Sequence, residues 1–204
     1  MRRMIARCVA GWIALSGIAA SLPAASEGPV ERWSQERAQE WYAGQPWLFG
    51  FNFVPSTAVN DTEMWQAETF DPKTMDRELA WAEGLGYNSC RVFLQYIVWK
   101  QDPAGFRNRF DRFLAIAEKH GIGVMPVLFD DCAFDAGRDP YLGKQEDPLP
   151  GTSNARWVPS PGLKLVVDKA AWPQLQEYVK DMVARYGADK RIVIWDLSNE
   201  PGNS

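Results

Sequence analysis

Strand-like and helix-like segments alternate along this chain, and the alternation predicts an α/β fold: a TIM (β/α)8 barrel truncated after its fourth strand, a half-barrel. Three observations carry that expectation. Apolar runs that read as strands are separated by helix-period segments closing on Gly86, Gly121 and Gly187, which implies parallel strands joined by right-handed crossovers. A doubly wound sheet, the competing architecture, places a glycine-rich phosphate turn after its first strand, and the connection 54–71 holds no glycine. The last apolar run ends in Ser198-Asn199-Glu200-Pro201, a carboxylate beside an amide at the carboxyl end of a strand, where barrel enzymes carry their reactive groups.

Residues 1–26 read as a signal peptide. Arg2, Arg3 and Arg7 precede an apolar run, Val9 to Leu15, that continues through Ile18-Ala19-Ala20 to small residues at Ala24, Ala25 and Ser26. A membrane anchor is the alternative, but the run is short for a span and is interrupted by Gly and Ser. The expected location is therefore secreted or periplasmic. Removal of the segment takes away three arginines and no acids, moving the formal net charge from -4 to -7. An acidic exported protein is a poor partner for nucleic acid or an anionic membrane, so neutral carbohydrate fits better. Ten Trp point the same way, since indole faces suit sugar C–H surfaces as well as cores. Residues 27–46 read as an amino-terminal helical extension, polar from Glu31 to Ala43 with Trp33 and Trp41.

The half-barrel itself occupies 47–204. Residues 48–53 form the first expected strand. Asp71-Pro72 then starts a helix as N-cap and first helical residue, Met75, Leu79 and Ala82 share its apolar face, and Gly86 ends it. Residues 88–94 are the second strand, and Phe106, Phe110, Phe113, Leu114 and Ala117 mark the helix closed by Gly121. The third strand, 123–129, contains Pro126, which points to a local bulge. A long connection rich in Pro, Gly and Asp runs from Asp130 to about Ala171, a length typical of functional loops. A helix over 173–186 and a buried strand over 191–197 complete the series.

Collected at the strand ends, the candidate site residues are Asn52, Arg91, Asp130 with Asp131, and Asn199 with Glu200. Amides, a guanidinium and carboxylates in one patch suit hydrogen bonding to sugar hydroxyls and proton transfer. Arg91 alternates with Cys90 and Val92, so if those face the helices Arg91 faces the barrel interior, where it needs carboxylate partners. Asp130 and Asp131 either bind hydroxyls or cap the long loop. Trp65, Tyr96, Trp99 and Trp157 lie in connections after strands, and each is either a sugar-stacking platform or loop packing. His120 is the sole histidine, placed after Lys119 and before Gly121 as a helix-terminal cation. Its isolation argues against a Ser-His-Asp triad and multi-histidine metal sites, and no metal or organic cofactor is indicated. Cys8 leaves with the signal, and Cys90 and Cys132 are either bridged or separate.

From about Trp47 to Asn203 the chain resembles the amino-terminal half of clan A retaining glycoside hydrolases, nearest the cellulase-like family 5 type. The likeness rests on Asn199-Glu200-Pro201 after an apolar strand, Arg91 on the second strand, and Gly50-Phe51-Asn52 on the first. The resemblance implies retaining hydrolysis of O-glycosidic bonds in a β-linked polysaccharide or oligosaccharide. It makes Glu200 the general acid/base, Asn199 the partner of the sugar 2-hydroxyl, and Arg91 a support for the nucleophile. That nucleophile belongs on a seventh strand, which residues 1–204 do not reach, so the chain alone is expected to be inactive. Two other readings stay open: a non-catalytic carbohydrate-binding pseudoenzyme, and a half-barrel that self-associates through its open sheet edges.

Overall fold

The computed structural model describes residues 32–134 and 138–202, so the signal-peptide segment lies outside the described residues. Two compact units make up the chain, one ending at Gly44 and the other starting at Gln45. In the first, α1 (Gln35–Ala43) begins where the Ser34 hydroxyl accepts the Arg37 N–H at 3.3 Å. Trp33 and Trp41 meet edge to face at 6.2 Å, with Arg37 over the Trp33 ring.

The second unit is a sheet of four parallel strands in the order β1 (Gly50–Asn52), β2 (Ser89–Phe93), β3 (Gly123–Asp130) and β4 (Asp196–Asn199). Helices α3 (Pro72–Gly84), α5 (Pro103–Lys119) and α7 (Trp172–Tyr186) make the connections. Three shorter helices sit inside the loops after strands: α2 (Asp61–Trp65), α4 (Tyr96–Gln101) and α6 (Leu163–Val167). Sequential parallel strands with helical crossovers are the layout of the first half of a (β/α)8 barrel. Among the described residues no helix is long and apolar enough to cross a membrane.

Local chemistry explains the boundaries. Asp71 accepts the N–H groups of Lys73 and Thr74, both at 3.1 Å, with Pro72 behind it, and Gly86 takes φ 87° just past the helix end. Asp102 caps α5 in the same way through Gly105 N–H at 2.8 Å. The buried faces of α3, α5 and α7 pack with Cys90, Val92 and Val124 into one core that also contains Phe106, Phe110, Phe113 and Tyr178.

Two strands differ from expectation. β1 is shorter than 48–53 because the Asn88 side chain takes the place of the ladder: it accepts Phe49 N–H at 2.8 Å and donates to Trp47 O at 2.8 Å. The fourth strand is interrupted. Val124 bonds with Arg191 and Val193 and faces Ile192, yet Val127 faces Asp196, so four steps on the fourth strand match three on β3. Val124 turns its N–H toward this strand, so Pro126, two residues on, lacks the N–H that should continue the ladder there. The bulge thus falls opposite Pro126, while the β2–β3 register runs unbroken from Ser89↔Gly123 to Phe93↔Val127.

His120 forms the end of α5, as its position suggested, but it is 8% exposed and held on both sides. Nδ1 lies 2.8 Å from Glu83 and Nε2 2.8 Å from Asp76. Burial works against the cation, but the hydrogen bonds with Glu83 and Asp76 outweigh it and raise the His120 pKa above its ordinary value. A raised pKa stabilises the fold fully below the unfolded value of about 6.5, and this contribution fades as pH rises through the higher folded value. The melting-temperature gap between wild type and His120→Gln is therefore expected to narrow as pH increases above neutrality. A gap constant from pH 5 to 9 would contradict the assignment.

Candidate active-site cleft

Arg91 stands between the helix-facing Cys90 and Val92 and, as their alternation requires, projects to the opposite face of the sheet. There its Nε donates to Asp196 Oδ2 at 3.0 Å and its Nη2 to Asn199 Oδ1 at 2.8 Å, while the guanidinium lies over the Phe93 ring. The Asn199 amide is fixed from both ends, because its Nδ2 donates to Asp130 Oδ1 at 2.8 Å. Asp130 also accepts Trp157 Nε1–H at 2.7 Å and Cys132 N–H at 3.0 Å. A continuous chain, Asp196–Arg91–Asn199–Asp130–Trp157, thereby ties β2, β3, β4 and the long loop together.

Asp196 was not among the residues singled out from sequence. Ile192 packs on the helix-side core, so in an unbroken strand Asp196, four residues on, would share that side. The extra residue opposite Pro126 reverses the alternation and turns Asp196 to Arg91. The available signal was a carboxylate inside the apolar run Ile194-Trp195-Asp196-Leu197, together with a proline in the neighbouring strand.

Asn52, Arg91, Asn199 and Glu200 come together as expected, lining one cleft of about 390 Å³ with Val54, Phe93, Cys132, Phe134, Asn154 and Trp157. Glu200 is exposed, directly follows β4 and holds φ 47°, a left-handed conformation that a glutamate adopts only under constraint. Asp131 accepts the N–H of Gly202 at 2.7 Å, bracing the turn that carries Glu200.

Four expectations are corrected. Asp130 is 2% exposed and engaged by three donors, so it organises the cleft instead of offering oxygens to a ligand. Burial pushes its pKa up, the bonds from Asn199, Cys132 and Trp157 oppose this, and the nearby charge of Glu200 adds to the rise. Trp65, Tyr96 and Trp99 are buried: α2 and α4 fold the connections back over the helix-side core. Trp65 Nε1–H donates to Phe93 O at 2.6 Å and Trp99 Nε1–H to Asp181 at 2.7 Å, while Tyr96 packs against Trp99 and Tyr178. None of these three rings can serve as a platform. The exposed aromatic ring at the cleft is Phe134, and Trp157 forms its wall, standing edge-on to Phe93 at 5.0 Å.

Cys90 and Cys132 are not joined to each other, and burial raises the Cys90 thiol to about 12, leaving it protonated and inert. No group of three or more His, Cys, Asp or Glu among the described residues is arranged to hold a metal ion.

Fold and cleft together define a partial (β/α)8-type protein with an acid–amide–guanidinium cluster at the carboxyl ends of its strands. No family model and no curated protein matches the chain. Among solved structures it is similar to a GH5_18 protein from Streptomyces cattleya in complex with GlcNAc. That alignment has 18% identity and a TM-score of 0.45, covering 75% of this chain and 34% of the other. A single-residue variant of the same protein, in complex with Manb1-4GlcNAc, aligns at 16% identity and TM-score 0.45 over 76% of this chain and 36% of its own. The chain thus spans about a third of the length of these neighbours.

Proposed function

We propose that the cleft is the acid/base side of a retaining glycoside hydrolase site acting on a β-linked glycan. One observation carries the reading: Asn52, Arg91, Asn199 and Glu200, from the ends of three parallel strands, line a single cleft in which Glu200 is the exposed carboxylate. Glu200 protonates the departing glycosidic oxygen and later removes a proton from the incoming water. Asn199 keeps one amide hydrogen beyond its bond to Asp130, and that hydrogen serves a sugar hydroxyl. Arg91, pinned by Asp196, supplies fixed positive charge for the second carboxylate that a retaining mechanism requires about 5–5.5 Å from the first. Asp130 and Asp196 are both held in hydrogen bonds, so the reading assigns the nucleophile to a side chain outside the described residues.

The test follows product stereochemistry. The gene product, with any coding sequence that continues in frame past Ser204, is incubated with aryl β-glucoside, β-mannoside and β-xyloside, and the first-formed anomer is read by proton NMR. A β product supports the proposal. An α product, or no hydrolysis of any of these β-glycosides by a product that continues past Ser204, overturns it.

A further inference from the structure

Trp157 walls the Glu200 cleft and donates to Asp130, and the backbone around it is gripped from both sides. Asn60 Nδ2 donates to Arg156 O at 3.0 Å on one side, and Gln95 Nε2 donates to Pro159 O at 3.1 Å on the other. Both amides are buried, Asn60 as the N-cap of α2 in the loop after β1 and Gln95 as the N-cap of α4 in the loop after β2. Ser160 completes the attachment. Its N–H and C=O exchange hydrogen bonds with the Asp130 backbone at 2.8 and 2.7 Å, and its hydroxyl accepts Tyr96 N–H at 3.0 Å. The loops after β1, β2 and β3 therefore meet on the buried segment 157–160.

Gln95 is itself oriented from behind. Its Nε2 also donates to Asp61 Oδ2 at 3.0 Å, its Oε1 accepts Ile97 N–H at 3.4 Å, and Asp61 Oδ1 accepts Thr62 N–H at 2.9 Å. Asp61 is buried, and among the described residues the charge that acts on it is another carboxylate, Asp130. Burial first, and then Asp130, raise its pKa well above the usual carboxylate range, against the opposing bonds from Gln95 and Thr62. An acid buried without a cation costs stability that an apolar side chain would not. Departures of this kind collect where a fold serves a site. Asp61 has one use there that an apolar residue could not supply: it accepts one Gln95 N–H and so aims the other at Pro159 O.

We propose that Asn60, Asp61 and Gln95 are positioning residues that clamp the backbone on either side of Trp157, hold its indole on Asp130, and thereby fix Asn199 in the orientation the Glu200 cleft requires. The path is continuous: Trp157 Nε1–H and Asn199 Nδ2–H donate to the two oxygens of the same Asp130 carboxyl. The proposal rests on the glycosidase reading for what Asn199 does to a substrate, but not for the clamp on Trp157.

The experiment uses the gene product with any coding sequence that continues in frame past Ser204, and compares wild type with Gln95→Met, Asp61→Asn and Gln66→Met. Methionine approximates the length of glutamine and removes its hydrogen bonds. Gln66 is the matched control: it is buried and exchanges hydrogen bonds with Gly143 at 2.6 and 3.1 Å in the same long loop, at a point that does not flank Trp157. Asp61→Asn sets an amide N–H against the donors Gln95 and Thr62. Two quantities are read: kcat and KM on aryl β-glycosides, and the Trp157 indole N–H resonance in protein carrying isotope-labelled tryptophan, assigned by its loss in Trp157→Phe. Gln95→Met and Asp61→Asn should move that resonance and lower kcat about 10–100-fold with KM little changed, as a slight misplacement of an orienting group does. Gln66→Met should lose melting temperature but keep the wild-type resonance and kcat. If Gln95→Met does not fold, Asp61→Asn is read in its place. An unmoved resonance or an unchanged kcat in Gln95→Met, or the same changes in Gln66→Met, overturns the clamp and leaves the glycosidase reading standing. If wild type hydrolyses nothing, the glycosidase reading fails and the resonance alone decides. Movement in Gln95→Met but not in Gln66→Met then supports the clamp, and any other pattern refutes it.

Discussion

In a form that continues in frame past Ser204 and supplies the nucleophile, replacing Glu200 by alanine is expected to lower kcat on glycosides with poor leaving groups by about 10²–10⁴-fold, the range that a positioned proton donor contributes. The loss should be smaller with activated aryl glycosides, which depart without protonation, and for these added azide should restore part of the turnover. Azide attacks the glycosyl-enzyme intermediate without needing a base, whereas water does need one. The backbone supplies a control that separates chemistry from folding. Glu200 sits at φ 47°, where glycine is at ease and a side chain is strained. Glu200→Gly should therefore be as inactive as the alanine variant yet melt no lower than wild type. Turnover unchanged in both variants would remove Glu200 from the mechanism. Equal loss of activity and of melting temperature would make it a structural residue.

The parts of this molecule that sequence disclosed are those set by local rules. Asp71-Pro72 and Gly86 bound α3 because capping and φ preferences act over a few residues. Arg91 was assigned to the interior because alternation with Cys90 and Val92 needs no knowledge of distant strands. What stayed hidden depends on neighbours far along the chain. The shortened β1 comes from Asn88, whose amide occupies ladder positions 39 residues away. Asp196 reaches Arg91 only because Pro126, on a different strand, forces an extra residue into the fourth. A pleat count within 191–197 alone places Asp196 on the wrong side. The helices α2, α4 and α6 span five or six residues, too few for a 3.6-residue periodicity to declare itself. Helices this short leave no periodic signal, so Trp65, Tyr96 and Trp99 look from sequence like residues of open loops.

Trp65 is the sharpest case, and Trp65→Ala is expected to cost about 3–5 kcal/mol of unfolding free energy, the usual loss for emptying a large aromatic from a core. The ring is fully buried against Phe70, Phe106, Phe110 and Phe113, with centroids 5.7–6.2 Å away. Its N–H satisfies the carbonyl of Phe93, the last residue of β2 and part of the cleft lining. At about 2–4 °C per kcal/mol for a protein of this size, melting should fall by on the order of 10 °C. Trp65→Phe divides the effect: it keeps an aromatic ring but orphans Phe93 O, so it should cost only about 1–3 kcal/mol. Urea unfolding of the three proteins measures both steps. A stacking platform would behave in the opposite way, with glycan affinity falling while the urea midpoint stays put. That pattern would return Trp65 to the binding surface and would mean that α2 does not fold over the core.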